Sequence, residues 1–166
     1  MLSAIISDTL LFKSPTCTAE DKKVGEELAK IAGIDAEEYG LEMLKAGTDI
    51  SDFSIEEILS MDAKKATIKD YIAIINQVNT ACIDDVMKLK DELEKGMEKS
   101  ISENNLDLFM LLITDIINSN SQVIVLGSAA DLVEKSYGVK LENNTALLKG
   151  IVSRKKQVIP VLTENA

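Results

Sequence analysis

Residues Leu106 to Ile113 read Leu-Asp-Leu-Phe-Met-Leu-Leu-Ile, an almost continuous apolar run between polar flanks. Such a short run is typical of a strand that is buried on both faces in the middle of a sheet. Tyr71 to Ile75 and Gln122 to Leu126 have the same character. The sequence therefore predicts a sheet in which Leu106 to Ile113 is a central strand.

Helical patterns separate these strands along the chain. Ile83 to about Ser100 has an apolar stripe at helical spacing, with Glu and Lys residues elsewhere. Ala129 to Tyr137 is a second helical segment, and Gly138 is a typical residue to end it. Strands that alternate with helices predict an α/β fold, here a mixed sheet flanked by helices.

The chain upstream of the first strand has helical signals only. Thr18, three residues before Asp21, predicts the start of a helix that Gly33 ends. Val24 and Ile31 lie on its apolar stripe, so we expect this stripe to face the core.

A second helix in this region is predicted to begin after Asp35 and to end near Gly47. Thr48 to Asp52 is polar and has the character of a linker. We therefore predict a domain boundary here, between residues 1–48 and residues 49–166.

Composition excludes several classes of protein. The 166 residues have a formal net charge of −10, which disfavours nucleic-acid binding, and the chain contains no histidine, which excludes a Ser-His-Asp triad or a histidine-ligated metal centre. The two cysteines, Cys17 and Cys82, have no spacing typical of a disulfide framework or a zinc site. No apolar run reaches the length of a membrane span, and we expect a cytoplasmic protein.

Two segments could carry chemistry. Asp8 follows an apolar segment, where its carboxylate could be a ligand of Mg²⁺ or Mn²⁺ or could simply end the element. Ser153 to Gln157 is a basic run that contains Arg154, the only arginine of the chain, and Lys155. A guanidinium grips two phosphate oxygens at once, so this run is either a phosphate site or a solvated turn.

Two further segments are weaker candidates. Lys64 stands close to the predicted linker and could face a cleft between domains or be an ordinary surface lysine. Gln77 to Thr80 closes a predicted strand, and we expect these polar residues to cap the helix at Ile83 rather than to bind a ligand.

Taken together, these motifs resemble the C-terminal half of manganese-dependent (family II) inorganic pyrophosphatases of the DHH phosphoesterase superfamily. The segment Ser7 to Thr16 resembles the last motif of their DHH catalytic domain, so residues 1–48 would be a helical remnant of that domain. Residues 49–166 resemble the DHH-associated C-terminal domain, which binds substrate. The motifs that carry this second resemblance are Asp62-Ala63-Lys64, Gln77-Val78-Asn79-Thr80, Leu141-Glu142-Asn143-Asn144-Thr145 and Ser153-Arg154-Lys155-Lys156-Gln157.

The resemblance implies a hydrolase that splits pyrophosphate with water activated by two Mn²⁺ or Co²⁺ ions, while Mg²⁺ arrives with the substrate. By motif, Asp8 would be a metal ligand. Arg154, Lys155 and Lys64 would bind the phosphate groups, whereas Lys156 and Gln157 receive no ligand contact. The other metal ligands of the family lie upstream of the segment present here, and one carboxylate cannot hold two metals.

The expected function is therefore the phosphate-binding part of a pyrophosphatase, inactive without its DHH domain. An exopolyphosphatase-type phosphoesterase and a non-catalytic domain that binds anions or nucleotides are the alternatives. The family forms homodimers through the missing domain, so we expect at most weak association of this chain. We also expect apolar surface at Leu2 to Leu11 to be exposed, because the missing domain would normally cover it.

Overall fold

The computed structural model describes residues 1–48 and 50–166, so Asp49 of the predicted linker lies outside the described residues. Within the described part, five strands form one sheet in the order β1-β2-β3-β4-β5. The strands are β1 (Lys64–Ile68), β2 (Tyr71–Thr80), β3 (Leu108–Asp115), β4 (Asn120–Leu126) and β5 (Thr145–Lys149). The apolar run identified in the sequence is therefore the central strand, as predicted.

The sheet is mixed, which confirms the predicted fold class. β2 and β3 are parallel, with Ala73 opposite Leu108, whereas the other three neighbouring pairs are antiparallel. Strand β1 was not predicted. It forms a tight hairpin with β2, in which Ile68 pairs with Tyr71.

Helices flank the sheet on both faces and precede it along the chain. They are α1 (Leu2–Thr9), α2 (Ala19–Ala32), α3 (Ala36–Gly47), α4 (Ile55–Ser60), α5 (Ile83–Met87), α6 (Lys90–Asn104), α7 (Ala130–Tyr137) and α8 (Ile159–Asn165). The single helix predicted from Ile83 to Ser100 is thus two helices, which are separated at Lys88 and Leu89. Among the described residues, no helix has the length and apolar character needed to cross a bilayer.

The predicted start and end of α2 are confirmed, but its predicted buried stripe is wrong. Thr18 and Asp21 form a reciprocal capping box, and Gly33 ends the helix in a left-handed conformation. Ile31, however, is 83% exposed. The buried residues are Gly25 and Ala29, and a Cβ added at Gly25 would lie 2.6 Å from the Phe12 ring. The buried residues of α2 are therefore small, which lets the Phe12 ring lie close to the helix backbone.

Both faces of the sheet are covered, which explains why β3 is apolar at almost every position. Met110 and Leu112 pack on one face with residues from α7 and α8. Phe109 and Leu111 pack on the other face with residues from α4, α5 and α6. The strand therefore lies between two cores and contributes side chains to both.

Helices α1 to α3 form a third core that reaches the sheet. Ile6 and Leu44 pack there with Ile116, which follows β3, and with Val152, which precedes the basic run. The expectation that Leu2 to Leu11 exposes apolar surface is wrong, since Ile6 is fully buried. This core places the end of α1 beside the basic run.

Candidate functional site

A cleft of about 180 Å³ lies between the end of α1 and the basic run. Asp8, Ser14 and Thr16 line it from the N-terminal segment, and Arg154 and Lys155 line it from the basic run. The fold thus brings three of the four residues singled out from the sequence to one cleft. Their roles stay predictions.

The fourth residue, Lys64, is not among the residues that line this cleft. It is the first residue of β1, opposite Ile75, and its side chain is exposed. Asp62, two residues earlier, does line the cleft. A phosphate contact from Lys64 stays a prediction, and it would require the side chain to reach past Asp62 into the cleft.

Arg154 is not a solvated surface cation, because only 8% of the residue is exposed. Its Nη2 lies 2.9 Å from Oδ1 of Asp62, and its Nη1 donates to the backbone carbonyl of the same residue. The buried Nε has no hydrogen-bond acceptor among the described residues. A buried, charged donor without an acceptor is costly, so this group favours an anionic partner.

The basic run is a π-helical turn, Arg154–Val158, that continues directly into α8. Gln157 holds the irregular segment that leads into this turn, because its Oε1 accepts from the backbone N–H groups of Val152 and Ser153 at 2.9 and 3.0 Å. Its Nε2 donates to the carbonyl of Gly150 at 2.9 Å. One amide side chain therefore satisfies three backbone groups of an irregular segment.

A second glutamine holds the turn from the sheet. Oε1 of Gln77 accepts from the backbone N–H of Arg154 at 3.1 Å, and its Nε2 donates to the carbonyl of Val152 at 3.0 Å. The prediction that Gln77 caps the following helix is wrong. The sequence did contain a sign of this role, since Gln77 continues the alternation of Ala73 and Ile75, whose side chains are buried on one face of the sheet.

Tyr137 supports the same turn from α7. Its hydroxyl donates to the backbone carbonyl of Gln157 at 2.7 Å. Burial raises the pKa of Tyr137 well above its ordinary value, so the hydroxyl stays protonated as a donor. Sequence reasoning did not identify this contact, which joins residues on different helices.

Asp8 lies in the last turn of α1, where three residues in left-handed conformation, Leu10, Leu11 and Phe12, turn the chain. Its carboxylate is exposed. A negative charge at the carboxyl end of a helix meets the negative end of the helix dipole, and no basic residue lies in this last turn. The position is therefore unfavourable for a carboxylate unless a cation accompanies it.

A dimetal site does not form from the residues that the structure describes. Within residues 1–48 and 50–166, no three His, Cys, Asp or Glu side chains converge as metal ligands. The carboxylates that line the cleft are those of Asp8 and Asp62, and the latter is paired with Arg154. This donor set does not fit two manganese ions, so further ligands would have to come from outside this chain.

Two lysines join the N-terminal segment to the rest of the fold, one at the basic turn and one at the turn between β3 and β4. Nζ of Lys156 donates to the carbonyl of Pro15 at 2.8 Å, and Nζ of Lys13 donates to the carbonyl of Ile117 at 3.1 Å. Both bonds are exposed to solvent, so each contributes little to stability. The first bond nevertheless ties Lys156 to Pro15, which lies between the cleft residues Ser14 and Thr16.

Removing the amide of Gln157 tests how the turn is held. We expect Gln157→Met to lower the free energy of unfolding by about 1–3 kcal/mol, because three backbone groups lose their partner. We also expect faster amide hydrogen exchange at Val152 and Ser153. Gln122→Met is the matched control, since Gln122 lies on β4 and makes none of these contacts with the turn. Equal unfolding midpoints in urea for the two variants would contradict this account.

Comparison with known proteins identifies the family of the chain. The model of the DHHA2 domain family matches residues 41–165. A manganese-dependent inorganic pyrophosphatase of Bacillus subtilis is 59% identical over 164 residues, which are 99% of this chain and 53% of that protein. A Bacillus velezensis protein classed as the same enzyme is 60% identical, with the same coverage.

A solved structure is also similar to this chain. The crystal structure of a Methanococcus jannaschii protein assigned to the family II inorganic pyrophosphatases superposes with a TM-score of 0.88, at 42% identity, over 99% of this chain and 53% of that one. The chain thus spans about half the length of the curated relatives it matches. The family match covers all the residues of the sheet and of the basic turn, and on this basis the chain belongs to the DHHA2 domain family.

Proposed function

We propose that this chain is the phosphate-binding part of a manganese-dependent inorganic pyrophosphatase. The observation that carries the proposal is the only arginine of the chain, buried at a small cleft beside an exposed lysine and across from Asp8. Relatives that share more than half of its residues bear the name of this enzyme.

The chemistry of the cleft suits an inorganic phosphate group. Arg154 offers a planar set of donors, one of which has no acceptor among the described residues. Lys155 is exposed and adds a mobile point charge. Pyrophosphate is small and carries several negative charges, so its terminal oxygens supply the acceptors that these groups need.

Each residue then has a defined role. Arg154 and Lys155 bind phosphate oxygens, the backbone of the turn being fixed by Gln77 and Gln157. We propose that Lys64 adds a phosphate contact and that Asp8 contributes one carboxylate to a metal. The manganese ions would supply the activated water, and their remaining ligands would come from the DHH domain of the longer relatives.

In this proposal, the chain by itself does not hydrolyse pyrophosphate. Residues 1–48 belong to the catalytic domain in this proposal, and residues 49–166 form the substrate-binding domain. The names of the relatives favour pyrophosphate over longer polyphosphates. The cytoplasmic location and the homodimer formed through the DHH domain stay predictions.

Two measurements on the purified chain test the proposal. With Mn²⁺ and Mg²⁺ present, we expect no release of phosphate from pyrophosphate, because the donor set for two metals is incomplete. We expect calorimetry to detect pyrophosphate binding, weakened severalfold by Lys155→Ala. Lys140→Ala, which removes the same charge away from the cleft, should leave the affinity unchanged.

Two results would contradict the proposal. Release of phosphate that depends on metal and disappears in Asp8→Ala would show a complete metal site in this chain. Binding that is unaffected by Lys155→Ala would place the anion at another surface. The first result would overturn the proposed division of roles between the two parts, and the second would overturn the proposed phosphate site.

A further inference from the structure

We infer that Asp62 competes with the phosphate group for Arg154, so that its carboxylate occupies the guanidinium until an anion displaces it. The inference rests on the proposed function, because it assumes that Arg154 binds a phosphate group. It adds a residue that sets the affinity of the cleft and that the sequence analysis left without a role.

The contact uses the two terminal nitrogens of the arginine. Nη2 donates to the carboxylate of Asp62 at 2.9 Å, while Nη1 donates to the backbone carbonyl of the same residue. A carboxylate and a phosphate present similar pairs of oxygen acceptors to a guanidinium. The Asp62 carboxylate therefore stands in a position that a phosphate oxygen could take.

The two partners differ in how firmly they are held. The side chain of Arg154 is 9% exposed, whereas that of Asp62 is 58% exposed. Asp62 is the exposed partner of the pair, so water solvates its carboxylate well once it is released. The carboxylate can therefore leave when a phosphate oxygen takes its place, whereas the guanidinium stays buried at the cleft and needs an anion.

Only the carboxylate needs to move, because the backbone of this turn is anchored. Asn76, which is fully buried on β2, donates to the carbonyls of Ile58 and Met61 at 3.0 and 3.3 Å. These bonds fix the end of α4 immediately before Asp62. Asp62 itself has a φ of 42°, a left-handed conformation that aspartate and asparagine adopt more readily than most residues. The backbone carbonyl therefore continues to hold Nη1 when the side chain swings away.

Charge gives the competition its direction. Asp62 lines the same cleft as Arg154 and Lys155. Its negative charge neutralises part of the positive charge there and repels an incoming anion. The ion pair between Arg154 and Asp62 must therefore break before pyrophosphate can bind with its full affinity. A variant with a neutral side chain of the same shape in place of Asp62 should bind pyrophosphate more tightly.

The variant Asp62→Asn isolates this effect. Asparagine keeps an oxygen acceptor, nearly the same volume and tolerance of the left-handed backbone, and it loses only the charge. Asp70→Asn is the matched control, because Asp70 is an exposed aspartate in the β1–β2 turn that does not line the cleft.

The single arginine makes a direct reading possible. In a chain labelled with ¹⁵N, the Nε–H resonance of an arginine belongs to Arg154 by composition alone. Titration with pyrophosphate, without divalent metal, follows this resonance and gives the dissociation constant. We expect Asp62→Asn to shift the resonance of the free protein and to lower the dissociation constant about three- to tenfold. Asp70→Asn should change neither quantity.

Each other outcome overturns the inference in a recognisable way. If Asp62→Asn binds pyrophosphate as the unchanged chain does, or more weakly, Asp62 is a bystander or a positioning residue, and the proposed function survives. If pyrophosphate moves the Arg154 resonance in neither protein, the proposed function fails as well. The backbone amide spectrum shows in the same samples that both variants are folded.

Discussion

Arg154→Lys is expected to weaken pyrophosphate binding by about 10- to 100-fold. Lysine keeps the positive charge but replaces a planar set of donors with one compact ammonium group. Charge-assisted hydrogen bonds are worth about 1.5–3 kcal/mol each, and losing one of them accounts for a change of this size. Calorimetric titration of the 166-residue chain measures the effect.

The control for this prediction removes a charge without touching the cleft. The control is Lys149→Gln. Lys149 is exposed at the end of β5 and does not line the cleft. We expect the affinity of this variant for pyrophosphate to stay within about twofold of that of the unchanged chain, because salt screens exposed charges outside the cleft. If Arg154→Lys behaved like this control, the arginine would act only as a point charge.

Gly127→Ala is expected to cost more stability than any other substitution considered for this chain, at least about 3 kcal/mol. Gly127 has a φ of 118°, a conformation that residues with a side chain rarely adopt. An added Cβ would lie 2.3 Å from the backbone oxygen of Asp107. That oxygen accepts a hydrogen bond from the N–H of Ala129, so it cannot retreat without breaking this bond.

Two other glycines separate the causes of this effect. Gly138 also has a positive φ, of 63°, but an added Cβ would meet nothing within 4 Å, so Gly138→Ala should cost only about 1 kcal/mol. Gly47 ends α3 without either problem, and Gly47→Ala should be neutral or slightly stabilising. Unfolding in urea ranks the three variants. Equal losses for Gly127→Ala and Gly138→Ala would show that the clash is relieved.

The sequence predicted those elements whose cause is local. The capping pair Thr18 and Asp21 marks a helix start because its bonds join residues three positions apart. The run from Leu106 to Ile113 predicted a central strand because burial on both faces leaves no polar position. Strand β1 carries no such pattern, since most of its residues are exposed, and it exists because β2 offers it a hairpin partner.

The cleft was predicted in its residues but not in its contacts. Asp8, Arg154 and Lys155 were identified because their residue types suit metals and phosphates. The pairing of Arg154 with Asp62 joins positions that are far apart in the chain, and no spacing in the sequence indicates it. The same holds for Gln77, whose partners Thr114 and Val152 become neighbours only through the order of the strands.

The single parallel pair in the sheet has a consequence for how the chain folds. β1 and β2 form one hairpin and β3 and β4 form a second, each closed by a short turn, while β5 joins β4 after α7. The pair that joins the two hairpins, β2 with β3, can form only after α5 and α6 have crossed over. Closing that longer loop costs conformational entropy before the contacts between β2 and β3 can form. We therefore expect the two hairpins to collapse early and their docking along β2 and β3 to limit the rate of folding.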